Sequence, residues 1–221
     1  MNKIKLTIIH TTPATVTAIK DGIIELYGDA FEIVNVMDDS LLNEIKKTDT
    51  ISSSVMERFI QYTIIAENNQ SKAILLACSS IGQAGDTARS ILHIPLFKID
   101  EPMADAAAEG KRILVLGTVK STLKPTSQLI RRKLKNEEQQ MDVKLLPNVF
   151  ELYADDRQKH DMAIAQAVHE NESYYDTIVL AQASMSGAVR YLTDVKARVL
   201  TSLPMGLKQL NVLLEENQNG N

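Results

Sequence analysis

The sequence predicts an α/β protein made of two similar lobes, each with a parallel sheet, and two observations lead there. Short apolar, β-branched runs alternate with longer stretches whose apolar residues recur every three or four positions. That is the pattern of strands buried on both faces and joined by crossover helices. The chain also repeats itself after about half its length. Lys5-Leu-Thr-Ile-Ile-His-Thr-Thr has a counterpart in Arg112-Ile-Leu-Val-Leu-Gly-Thr-Val, and Ile74-Leu-Leu-Ala-Cys-Ser-Ser has one in Ile178-Val-Leu-Ala-Gln-Ala-Ser. Thr11 and Thr118 lie 107 positions apart and Cys78 and Gln182 lie 104 apart, so one lobe-length separates both pairs.

Taken in order, the predicted strands are Lys5–Ile9, Glu32–Val36, Ala73–Ala77, Pro95–Lys98, Arg112–Gly117, Val143–Leu146, Thr177–Ala181 and Arg198–Thr201. Helical spacing predicts helices over Thr15–Tyr27, Ser54–Asn68, Asp86–Leu92, Pro125–Asn136, Asp156–Glu170, Ser186–Lys196 and Met205–Glu216. Residues 217–221 read as a frayed polar tail. The pseudo-twofold duplication assigns 1–98 plus 204–221 to lobe one and 99–203 to lobe two. Ile99–Gly110, with its Asp-Glu-Pro and a short Ala-rich helix, reads as the linker.

A hydrophobic fraction of 44% with 24% charged residues describes an ordinary globular chain and excludes a disordered or fibrous one. The net charge of −4 and 5% aromatic content offer neither a basic face nor stacking platforms, so no nucleic-acid partner is expected. The apolar run ending at His10 is cut by Thr11, Thr12 and Pro13, too short for a membrane span or signal core, which predicts a cytoplasmic protein. The single cysteine excludes an internal disulfide, and no metal-ligand spacing is present. Gly82 and Gly85 lack the spacing of a phosphate loop.

In parallel α/β sheets, ligands lie beyond the carboxyl ends of the strands. Those ends carry His10, Thr11 and Thr12; Cys78, Ser79 and Ser80; Thr118 with Ser121 and Thr122; and Gln182, Ala183 and Ser184. Hydroxyls and free backbone N–H groups at helix starts cradle anions, and a small carboxylate is the natural ligand. Cys78 follows a buried strand and precedes a helix-forming segment, a position expected to lower its pKa and favour the reactive thiolate. The plain alternative is a small buried hydrophobe.

At these residues the chain resembles the aspartate/glutamate/hydantoin racemase superfamily. Ala77-Cys-Ser-Ser is similar to that family's first cysteine motif, and Ile178-Val-Leu-Ala-Gln-Ala-Ser occupies the place of its second. His10-Thr-Thr-Pro-Ala-Thr-Val and Thr118-Val-Lys-Ser-Thr-Leu resemble its carboxylate-binding strand ends. The resemblance implies two flavodoxin-like lobes with the active site between them, no cofactor, and proton transfer at a carbon α to a carboxylate. It implies Cys78 as the catalytic thiol, Thr11, Thr12, Ser79, Ser80, Thr118, Ser121, Thr122, Ala183 and Ser184 around the substrate, and a possible homodimer. Two-base racemisation needs a second cysteine, but Gln182 stands there, and its amide neither gives nor takes a proton near neutral pH. A one-base decarboxylase or lyase, and a carboxylate-binding protein without turnover, are therefore the alternatives. His10 is a candidate for the missing acid, against the duller role of capping a turn.

His160-Asp161 and His169 are expected on a solvated helix face, Asp86 and Arg89 in a structural ion pair, and the scattered methionines as core filler. The run Arg131-Arg-Lys with Lys135, Glu137 and Glu138 changes sign within one helix end and reads as solvated.

Overall fold

The apolar runs pair into two four-stranded parallel sheets in a computed structural model that describes residues 3–219. The chain enters through β1 (Ile4–His10), α1 (Val16–Tyr27), β2 (Phe31–Met37), α2 (Asp39–Thr48), α3 (Ser53–Asn68), β3 (Ala73–Leu76), α4 (Gly82–Arg89) and β4 (Leu96–Lys98). It continues through α5 (Glu101–Ala107), β5 (Arg112–Gly117), α6 (Lys120–Arg131), β6 (Gln140–Leu145), α7 (Leu152–Asp155), α8 (Arg157–Asn171), β7 (Thr177–Leu180) and β8 (Arg198–Thr201). It closes with α9 (Ser202–Lys208) and α10 (Asn211–Asn219). Two compact units result, one formed by residues up to Ile99 together with those from Pro204 on, the other by Asp100–Leu203.

Each unit repeats one topology. The first sheet runs β2-β1-β3-β4 and the second β6-β5-β7-β8. Leu6 pairs with Ala73 in the first and Ile113 with Thr177 in the second, which is the same pairing shifted by 107 and 104 positions. The duplication legible in the sequence is thus a duplication of register. Central strands β3 and β7 are buried at every residue because helices cover both faces. Edge strand β6 is exposed or half-buried throughout.

In the first unit Ile9, Leu41, Phe59, Ile74, Leu76 and Ile81 share one core. Burying each such side chain contributes about 1.5–3 kcal/mol. Caps fix where its helices begin: Asp38 accepts from Ser40 N (2.9 Å) ahead of α2, and Ser52 from Val55 N (3.2 Å) ahead of α3. The core of the second unit gathers Leu114, Leu116, Ile164, Val168, Ile178 and Leu180, and Asp156 caps α8 by accepting from Lys159 N (3.0 Å).

Several expectations need correction. The segment read as a linker contains α5, whose Met103, Ala104 and Ala107 are buried, so it is packed structure. The helix expected over Ser186–Lys196 is a 3-10 segment over Ala183–Tyr191, and residues 192–196 lie outside it. The C-terminal helix is two, α9 and α10, separated by a turn in which Leu210 N donates to Leu207 O (3.1 Å). Helix α10 runs through Asn219, so the frayed tail does not begin at Asn217; residues 220 and 221 lie outside the described residues. Helix α2 was not anticipated, although Leu41 and Ile45 are spaced for one buried stripe. Among the described residues no helix is long and apolar enough to cross a membrane.

Candidate active site

Strand β3 delivers Cys78 in an extended conformation (φ −142°, ψ 118°) at the start of a 3-10 turn, Ser79–Ile81, which leads directly into α4. The thiol is partly buried at the rim of the first core. Ser79 and Ser80 are buried beside it, and Thr11, from the end of the neighbouring strand β1, is 1% exposed. Burial pushes the Cys78 thiol up from its ordinary value. The polar groups of Thr11, Ser80 and Ile81 nearby, the Thr11 hydroxyl first, pull it down without cancelling the burial. The expected lowering is therefore not found, because desolvation outweighs them. Thr11 Oγ1 makes no hydrogen bond of ordinary geometry and is buried. Its effect on the thiol is that of a nearby dipole, and it retains capacity for a ligand. Thr12 is half-buried and accepts from Ala14 N (3.4 Å), capping the turn Pro13–Thr15.

His10 does not serve as an available acid. It is fully buried, Nε2 lies 3.0 Å from Asn35 Oδ1 and Nδ1 lies 2.8 Å from Thr15 Oγ1. Burial lowers its pKa, and the bond to Asn35 opposes this in part. Nε2 faces the Asn35 side-chain oxygen, and Nδ1 faces the Thr15 hydroxyl, whose one proton is also within reach of the Thr12 carbonyl (3.2 Å). Both nitrogens are used to clip β1 to β2 and to the turn before α1. Arg58 is similarly occupied, reaching Asp38 (3.5 Å) and Glu44 (2.6 Å).

In the second unit Gln182 holds the strand-end position that Cys78 holds in the first. Its Oε1 lies 2.6 Å from Thr118 N and 3.0 Å from Thr118 Oγ1. A backbone N–H can only donate, so the facing atom is the carbonyl oxygen and the amide NH2 points away. Thr118, expected to hold a carboxylate, directs both its N–H and its hydroxyl at Gln182. Ser121 and Thr122 are half-buried at the start of α6, and Ala183 and Ser184 are half-buried at the start of the 3-10 segment.

His160 and Asp161 are corrected from solvated to buried, at 0% and 1% exposure. They lie one turn before Ile164 and Ala165 on the buried face of α8, and that four-residue spacing was the signal available in the sequence. Asp86 does form an ion pair with Arg89 (3.6 Å), and the buried Lys98 joins it (2.5 Å). Lys133 and Lys135 pair with Asp105 (2.5 Å) and Glu109 (2.6 Å) at the surface.

Two duplicated α/β units, with a thiol and small hydroxyls at the carboxyl ends of the strands, define the class of the Asp/Glu racemase fold. The family model for Asp/Glu/hydantoin racemase matches residues 5–210, and the chain belongs to that family. Among solved structures it is similar to an aspartate racemase homologue from Pyrococcus horikoshii OT3, with 17% identity, 96% of this chain and 99% of that chain covered, and a TM-score of 0.72. It is likewise similar to a glutamate racemase isoform from Bacillus anthracis (18% identity, 98% and 83% covered, TM-score 0.68). A third is allantoin racemase from Klebsiella pneumoniae (15% identity, 97% and 89% covered, TM-score 0.67). No curated protein matches the chain in sequence.

Proposed function

We propose that this protein is a cofactor-independent enzyme that moves a proton at the carbon beside a carboxylate, with Cys78 as the proton carrier on one face. The observation that carries the reading is the place of the thiol: Cys78 opens the 3-10 turn at the end of β3, with the buried hydroxyls of Ser79 and Ser80 in the same turn and that of Thr11 at the end of the neighbouring strand. The thiolate takes the α-proton, the electron pair moves into the carboxylate as an enediolate, and the same thiol returns a proton to carbon. Thr11, Thr12, Ser79 and Ser80 supply donors for the oxyanion in the first unit. The second unit offers the Gln182 amide, Ser121, Thr122, the Ala183 N–H and Ser184 as hydrogen-bonding groups but no proton carrier. A thiol pushed up is less often ionised, yet each thiolate is a stronger base, which suits a weakly acidic C–H.

The Gln182–Thr118 clamp favours a one-base variant, in which carbon dioxide leaves and the thiol protonates the carbon, over two-base racemisation. The partly buried thiol, pushed up by desolvation, favours carboxylate binding without turnover as a second reading. Incubation with aspartate, glutamate or phenylmalonate in deuterated water separates them. Label at the α-carbon that depends on Cys78 supports the enzyme, carbon dioxide release identifies the decarboxylase, and saturable binding with no label supports the binding protein. A small-carboxylate ligand, a homodimer and a cytoplasmic setting complete the proposal.

A further inference from the structure

We propose that Asp161 is a positioning residue that fixes the 3-10 segment Ala183–Tyr191, and with it Gln182 and Ser184. The proposal rests on the reading of those two residues as substrate-binding groups. A nine-residue 3-10 segment needs outside support, because its hydrogen-bond geometry is poor and runs beyond about four residues are uncommon. Support comes from α8. The buried Asp161 carboxylate has Oδ1 2.9 Å from His160 Nδ1 and 3.3 Å from Arg157 Nε, while Oδ2 faces Arg190 Nη2 at 3.7 Å.

Each arginine also holds the segment's backbone. Arg157 Nη2 donates to Ser184 O (3.2 Å), and Arg190 Nε donates to Gly187 O (2.9 Å). The backbone of Gly187 meets the carboxylate directly, since a Cβ there would overlap Asp161 Oδ2. Both guanidinium groups are largely exposed, so neither pair alone contributes much. What makes the arrangement specific is one desolvated carboxylate that both arginines share while each bonds a different carbonyl of the segment. The residue before the segment, Gln182, is held on Thr118, so the stretch from Gln182 to Gly187 is anchored at Gln182, Ser184 and Gly187.

The test is Asp161→Asn in the full chain, followed by amide hydrogen exchange. Exchange of residues 183–191 is expected to speed up at least about tenfold while β5 and β7 stay protected, because the segment opens locally. Gly187→Ala should reproduce this local signature, and Arg190→Gln, a change at an exposed side chain, should give a smaller version even if Asp161→Asn does not fold. Unchanged protection of 183–191 in these variants, or loss spread equally over β5 and β7, overturns the proposal. In deuterium exchange with aspartate, Asp161→Asn should raise KM at least fivefold, about that factor or more, with kcat within about twofold, the split expected for lost ground-state positioning. An unchanged KM also overturns it. A wild-type protein that labels none of the carboxylates defeats the proposed function instead, and hydrogen exchange alone then decides the role of Asp161.

Discussion

The side-chain oxygen of Gln182 sits 2.6 Å from the backbone nitrogen of Thr118 and 3.0 Å from its hydroxyl, binding the ends of β7 and β5 to each other. The first unit has Thr11 and Cys78 at the equivalent places, so the duplicated frame carries a hydrogen-bond clamp in one copy and a thiol in the other. Gln182→Ala strands the buried Thr118 N–H and should cost about 1–3 kcal/mol in denaturant unfolding. Gln182→Cys restores the residue pair implied by the family resemblance. On the proposed one-face mechanism, in deuterated water the wild type should label its substrate with retention and Gln182→Cys should label both enantiomers, as read by chiral separation and mass spectrometry.

Cys78 reactivity should follow its burial. The thiol is pushed above its ordinary value of 9.0, so alkylation of the free protein by iodoacetamide should be slow at neutral pH and keep rising beyond pH 9. Thr11→Val removes a donor that favours the thiolate and should slow alkylation further at any given pH, with the rise displaced to higher pH.

His10 predicts a pH dependence of stability. Its folded-state pKa lies below the unfolded value of 6.5, so its contribution is present above about pH 6.5 and is lost as pH falls through the folded value. Thermal unfolding between pH 7 and pH 5 should show a falling Tm. The fall should be shallower in His10→Asn, which is itself less stable at pH 7.

Gly206 in α9 packs so closely on the strand-following residue Ile99 that a Cβ would overlap the Ile99 carbonyl oxygen. Gly206→Ala should therefore destabilise the chain by about 1–3 kcal/mol in chemical denaturation, as overpacking does.

The strands are legible because β3 and β7 are apolar at nearly every position and β1 and β5 carry apolar runs, the trace that buried parallel strands leave. The repeat was legible because register follows sequence offset. The 3-10 character of Ala183–Tyr191 was not, since apolar spacing cannot separate a tight helix from an α-helix over so short a run. The strand-end positions of Cys78, Thr11, Thr118 and Gln182 are legible in the sequence, whereas the surroundings of their side chains are not. Desolvation of Cys78 and the double engagement of His10 depend on Asn35, Thr15 and a core assembled from distant segments. Residue type points His160 and Asp161 to solvent, since charged residues are usually exposed, but they share the buried helix face of Ile164 and Ala165.

The most direct test measures solvent deuterium at the α-carbon of aspartate, glutamate or the acid formed from phenylmalonate, with wild-type protein beside Cys78→Ala. Wild type should introduce label into at least one of them, and Cys78→Ala, folded as judged by circular dichroism, should introduce none above the uncatalysed rate. Label that persists at full rate without the sulfur, or no label from wild type with any of the three, would contradict a thiol-driven proton transfer.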